Sequence, residues 1–138
     1  MVKSSRPILL VEDDRVDVMT VKRALRQLDV STPLKVAGNG EEALAYLREV
    51  TNRKPGIILL DLNMPKMNGI EFLKVIKQDP VLRRIPVVVL TTSKEEQDRI
   101  ASFDLSVAGY MIKPVDYVQF VEIMRAIKDY WMMSELSE

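Results

Sequence analysis

Residues 56–69 read G-I-I-L-L-D-L-N-M-P-K-M-N-G. Ile57, Ile58, Leu59 and Leu60 form a continuous apolar run that is too short for a helix and fits a strand buried on both faces. The run ends on a carboxylate, Asp61. Asn63, Pro65, Asn68 and Gly69 then supply turn chemistry before a helical pattern resumes. In an open α/β sheet the functional site is built by loops beyond the carboxyl ends of the strands, and Asp61 falls there. An Asp after a strand reads equally well as a turn residue bonding its own backbone. The other strand ends have to decide.

Upstream, residues 7–11 (P-I-L-L-V) make a first strand that ends in Glu12, Asp13 and Asp14. Val16, Met19, Val21, Leu25 and Leu28 then recur at mostly helical spacing over residues 15–28, with Asp14 as N-cap. Residues 34–37 alternate as a second strand. Gly38-Asn39-Gly40 is a turn, residues 41–50 are a second helix, and Pro55-Gly56 breaks the chain. Downstream, residues 70–77 are a third helix stopped by Asp79-Pro80. Residues 86–90 (P-V-V-V-L) are a fourth strand closed by Thr91, Thr92 and Ser93. A more polar fourth helix spans 94–103. A fifth strand spans 107–112 and ends at Lys113-Pro114, and a last helix runs over 116–133. Apolar strands alternating with helices predict an α/β fold: a five-stranded parallel sheet flanked by five helices, one domain over residues 1–138 with no effector domain.

The composition removes whole classes of chemistry. Of the 138 residues, 47% are hydrophobic and 29% charged, as in a globular protein. Twenty Lys and Arg balance twenty Asp and Glu, so no basic excess favours nucleic acid or an anionic membrane. The absence of cysteine excludes disulfides, thiolate metal sites and a Cys nucleophile; the absence of histidine excludes His-based acid–base catalysis and His-ligated zinc. Any phosphohistidine must come from another molecule. No apolar run approaches the ~18 residues of a membrane span, and no signal-peptide core opens the chain. The expected location is cytoplasmic.

Parallel strands point their carboxyl ends to one edge. Glu12, Asp13 and Asp14 (strand one), Asp61 (strand three), Thr91 (strand four) and Lys113 (strand five) therefore converge. Clustered carboxylates repel, and a hard divalent cation resolves the repulsion; oxygen donors without His or Cys suit Mg²⁺, Mn²⁺ or Ca²⁺. A Lys and a Thr beside such a metal make sense if an oxyanion also visits. Each group also has an ordinary reading: an acidic first turn for residues 12–14, an N-cap for 91–93, a solvated lysine for Lys113, strand filler for Tyr110. The coincidence of four strand ends favours the site.

Taken together, these motifs resemble the receiver domains of two-component response regulators, over about residues 6–130. L-L-V-E-D-D matches the acidic pair, Glu12 and Asp13. I-L-L-D-L-N-M-P-K-M-N-G matches the phosphoacceptor block. V-V-V-L-T-T-S and G-Y-M-I-K-P match the segments carrying the switch hydroxyl, the switch aromatic and the active-site lysine. The resemblance implies a flavodoxin-like (CheY-like) sheet of order 2-1-3-4-5. It implies Asp61 as phosphoacceptor and Mg²⁺, with Mn²⁺ as substitute, on Glu12, Asp13, Asp61 and the Asn63 backbone carbonyl. Thr91 and Tyr110 become the switch pair, Lys113 the phosphoryl partner, Asn63 and Ser93 the residues tuning hydrolysis, and Lys113–Pro114 a cis peptide. The implied donor is a sensor histidine kinase. The undivided receiver and the D-Y-W ending of the last helix look like the small receivers paired with cyanobacterial and bacterial phytochromes. The implied protein is a signalling phosphoprotein and not a turnover enzyme.

Three rivals are weighed against this. An aspartyl-phosphate phosphohydrolase also uses Asp, Mg²⁺, Thr and Lys, but it needs a second Asp two residues after the first, where this chain has Asn63. A flavodoxin-like cofactor module wants a Gly- or hydroxyl-rich loop after the first strand, where this chain has three acids. A pseudo-receiver scaffold is opposed by the intact site residues. The last helix adds a partner expectation. Tyr117, Phe120, Val121, Ile123, Met124, Ile127, Tyr130, Trp131 and Met132 cover roughly 200°, against ~100° for one core face. A homodimer through the fourth helix, fifth strand and fifth helix is expected to cover the excess.

Overall fold

The computed structural model describes residues 6–62, 64, 66–91, 98, 100, 105–114 and 116–136, the side chains of Thr91 and residues 132–136 excepted. Strands β1 (Ile8–Val11), β2 (Leu34–Ala37), β3 (Ile57–Asp61), β4 (Val87–Thr91) and β5 (Gly109–Ile112) form one parallel sheet in the order β2-β1-β3-β4-β5. Helices α1 (Arg15–Gln27), α2 (Gly40–Arg48) and α3 (Gly69–Lys77) and a C-terminal helix (Tyr117–Leu136) accompany it. This is the doubly covered α/β sheet that the sequence predicts, with the strand order that the family resemblance implies. The expected fourth helix lies outside the described residues apart from Asp98 and Ile100, both helical.

The period-2 geometry of strands divides the core in two. Leu9, Val11, Ile58, Leu60, Val87 and Val89 face the side on which α2 and α3 contribute Leu44, Leu47, Phe72, Leu73 and Ile76. Ile8, Leu10, Ile57, Leu59, Val88 and Leu90 face the side covered by Val21, Ala24 and Leu25 of α1 and Phe120, Met124 and Trp131 of the C-terminal helix. Each of β1 and β3 is buried on both faces, which explains their uninterrupted apolar sequences. Each fully buried Leu or Ile contributes ~1.5–3 kcal/mol.

Local signals set the helix starts. Asp14 accepts from Val16 N at 2.8 Å and Asp17 N at 3.2 Å, capping α1. Asn68 and Glu71 form a reciprocal capping box on α3. A short 3₁₀ turn (Leu82–Arg84) was not anticipated; the Asp79 carboxylate launches it by accepting from Val81 N and Leu82 N at 2.8 and 3.0 Å. Of the last helix's wide apolar arc, Phe120, Val121, Met124, Ile127 and Trp131 are buried, whereas Tyr130 is exposed, as is Val118 outside the arc. The expected cis bond is corrected: among the described residues no peptide is cis, Lys113–Pro114 included. The ~0.5–1 kcal/mol trans preference of an X–Pro bond prevails here.

Candidate functional site

Strand register brings the site together. Val11 lies opposite Leu60, so Glu12 and Asp61 leave the sheet side by side. Thr91 lies opposite Ile112, which places Lys113 one step beyond the same edge. Glu12 is fixed from the other side, its N–H donating to Ala37 O at 2.9 Å. Carboxylate oxygens of Glu12, Asp13 and Asp61 all lie within 4.8 Å of one another. They open onto a cleft of about 680 Å³ that Asp14, Asp17 and Lys113 also line.

Lys113 is the cation of this cluster. Its Nζ donates to Glu12 Oε1 at 2.8 Å and to Asp17 Oδ2 at 3.1 Å, and stands 4.0 Å from Asp61 Oδ1. Glu12 is 3% exposed. Burial pushes its carboxyl up to about 7; the Lys113 bond and charge oppose that rise, and the Asp61 charge adds to it. Burial alone would lower the Lys113 ammonium, but Glu12, Asp61 and Asp17 together raise it. Tyr110 is partly buried against the α2–α3 side of the core, and burial raises its phenol.

The raised Glu12 value carries a pH expectation. The folded protein favours the neutral carboxyl, so this stabilisation is complete below the unfolded value near 4.5 and is lost as pH rises through about 7. Lys113 titrates well above that window. In chelator, the wild-type melting temperature should fall between pH 5 and 8 relative to Glu12→Gln. Parallel pH profiles for the two proteins would contradict the assignment.

Glu12, Asp13, Asp61 and Lys113 thus meet as the sequence placed them. Asn63 and Ser93 lie outside the described residues; Thr91 is described in its backbone alone, as the last residue of β4. Asp17 was missed. Its position in the first turn of α1 reads as a favourable acid at a helix N-terminus, and only the fold shows that this turn faces the end of β5. Lys66, in the loop after β3, has φ of 61°, a left-handed conformation that costs a non-glycine residue about 1 kcal/mol or more. All candidate metal donors are hard oxygens, which fits Mg²⁺ or Mn²⁺. No helix among the described residues is long and apolar enough to cross a membrane.

Comparison with known proteins agrees with this geometry. The family model described as response regulator receiver domain matches residues 8–125. The response regulator Rcp1 of Synechocystis sp. is 40% identical over 129 residues, which cover 91% of this chain and 88% of the relative. A structure of the phosphorylated cyanobacterial phytochrome response regulator RcpA superposes with a TM-score of 0.83 at 42% identity, covering 94% of this chain and 95% of the other. The Mn²⁺-bound form of Rcp1 superposes with a TM-score of 0.81 at 40% identity, covering 91% and 94%.

Proposed function

The chain belongs to the response regulator receiver family, and from that premise we propose that Asp61 accepts a phosphoryl group from a histidine kinase. The observation that supports this best is the placing of Lys113 Nζ between the buried Glu12 carboxylate, at 2.8 Å, and Asp61, at 4.0 Å. An Asp61 carboxylate oxygen attacks phosphorus and forms an O–P bond. The N–P bond of the donor phosphohistidine breaks, its electron pair stays on the imidazole nitrogen, and that nitrogen takes up a proton. Transfer of this kind demands positioning and charge neutralisation more than covalent assistance. Asp13, Asp61 and the Asn63 carbonyl, with Glu12 through water, would hold the divalent cation, which supplies charge neutralisation for the phosphoryl oxygens. Lys113 donates to one phosphoryl oxygen and the Thr91 hydroxyl to another.

The switch follows from the same contacts. Thr91 is drawn toward the phosphoryl group, and Tyr110 moves into the space it leaves. This biases the surface presented by β5 and the C-terminal helix. Ile112 in β5 and Val118 and Tyr130 in the C-terminal helix expose apolar surface, at 47%, 68% and 44%, which supports a partner contact made by these elements, such as a homodimer. Asn63 and Ser93 tune hydrolysis of the acyl phosphate. The likeness to Rcp1 and RcpA supports a phytochrome-type kinase as donor.

The test is intact mass after incubation with acetyl phosphate. One added phosphoryl group, in Mg²⁺ and not in chelator, is the expected result. Many turnovers of the phosphate ester would favour the phosphohydrolase, and an unchanged mass would favour the scaffold. Size measurement with beryllofluoride should show a dimer; an unshifted monomer would remove the dimer face.

A further inference from the structure

In this structure the Lys113 ammonium forms a loose ion pair with Asp61, without a hydrogen bond. Two of its three N–H donors are spent on Glu12 and Asp17, and Asp61 Oδ1, at 4.0 Å, is beyond hydrogen-bond reach. To reach a phosphoryl group on Asp61 the ammonium has to shift, and its two partners differ in how easily they release it. Glu12 is almost wholly buried, with 2% of its side chain exposed, so losing its cation leaves a buried group that is either charged without a partner or forced to take up a proton. The Asp17 side chain is 43% exposed, and water replaces the lysine there at little cost. The α1 backbone that carries Asp17 is fixed independently. Asp14 caps its start, and the Arg23 guanidinium lies 4.1 Å over the Tyr117 ring. Lys128 Nζ, 2.9 Å from Leu28 O, ties its end to the C-terminal helix.

We propose that Asp17 is a positioning residue that holds Lys113 back from Asp61 in the unphosphorylated state and releases it when a phosphoryl group arrives. This rests on Asp61 being the acceptor. Such a latch has an asymmetric consequence. It stabilises the resting state alone, so it slows acquisition of the phosphoryl group. In the phosphorylated protein Lys113 is already engaged, so hydrolysis is untouched. A residue that aimed Lys113 during the reaction would instead speed both steps.

The test measures phosphorylation by acetyl phosphate in Mg²⁺, hydrolysis after donor removal, and beryllofluoride affinity by calorimetry. The proteins are the wild type, Asp17→Asn, Asp17→Glu and Asp14→Asn. Asp14→Asn removes the same charge from the same cleft and keeps a good N-cap, so it sets the share due to repulsion of the anionic donor. Asp17→Asn should phosphorylate faster than Asp14→Asn by about two- to fivefold, the range an exposed ion pair supports. It should bind beryllofluoride more tightly by the same factor and keep the wild-type hydrolysis rate, and Asp17→Glu should return toward wild type. Equal rates for the two Asn variants, slower phosphorylation by Asp17→Asn, or an altered hydrolysis rate would overturn the latch. A wild-type protein that takes up no phosphoryl group would instead overturn the acceptor assignment.

Discussion

Asp61→Asn protein is expected to gain no mass from a phosphodonor and, in chelator, to melt a few degrees above the wild type. The first outcome follows from nucleophilicity: an amide oxygen carries no charge to donate to phosphorus, and the substitution is nearly isosteric, so the fold remains. The second follows from the charge balance of the cleft. One ammonium faces Glu12 and Asp17 at 2.8 and 3.1 Å and Asp61 at 4.0 Å, and Asp13 brings a further carboxylate within 4.8 Å of Glu12 and Asp61. Removing the Asp61 charge ends its repulsion with both Glu12 and Asp13. It also weakens the hold on Lys113, which keeps two closer partners. Solvent screening holds the net gain to roughly 1 kcal/mol, which is a few degrees in a domain of this size. Mg²⁺ should reverse the order, because ligand binding stabilises the protein that keeps the full donor set. Phosphoryl uptake by Asp61→Asn would place the acceptor elsewhere, and a lower melting temperature in chelator would mean that the lysine attraction dominates.

That same charge imbalance is why much of the site was legible in the sequence. Residues such as Glu12, Asp13, Asp61 and Lys113 sit directly at the ends of apolar runs, and parallel strands of one sheet share a direction, so their convergence follows from the pattern alone. Fold class was legible for the same reason: β1 and β3 are buried on both faces and therefore read as uninterrupted apolar segments, whereas the strand order came from the family resemblance. Edge strand β2 exposes both Lys35 and Val36, so its observed burial does not follow the alternation by which the sequence marked it. What escaped was geometry across elements. Asp17 meets Lys113 only because the first turn of α1 lies beside the end of β5, a relation between residues 96 positions apart. The Lys113–Pro114 peptide is trans, although the family resemblance suggested cis; the two isomers differ by so little that tertiary context decides.

Gly69→Ala should be more damaging than Gly40→Ala or Gly109→Ala, with a loss of about 1–3 kcal/mol and a phosphorylation rate lowered at least tenfold. Backbone conformation does not require glycine here, since no described glycine has a positive φ. On helix propensity alone, alanine at the start of α3 would stabilise by up to ~1 kcal/mol. Contact decides the sign. A Cβ at residue 69 would stand 2.7 Å from Asp61 O, 2.7 Å from Leu62 Cα and 2.8 Å from Leu62 Cδ2. Two of those atoms are backbone and cannot rotate away. They are also held in place, because Gly69 N donates to Leu62 O at 3.1 Å. Relief of the clash must therefore move the end of β3, and Asp61 with it, relative to Asp13 and Lys113. A displacement near 1 Å at a reacting group can cost as much as 10²-fold in rate. Other glycines supply the scale. At Gly40 the added Cβ meets the Met67 side chain, its nearest atom at 2.6 Å, and that flexible thioether can re-rotamerise. At Gly109 it meets nothing within 4 Å. Urea unfolding should rank the losses Gly109→Ala, Gly40→Ala, Gly69→Ala in rising order, with phosphorylation impaired in the last alone. Equal stability and equal rates for the substitutions at 69 and 109 would mean that the loop yields freely and that α3 does not fix the phosphoacceptor.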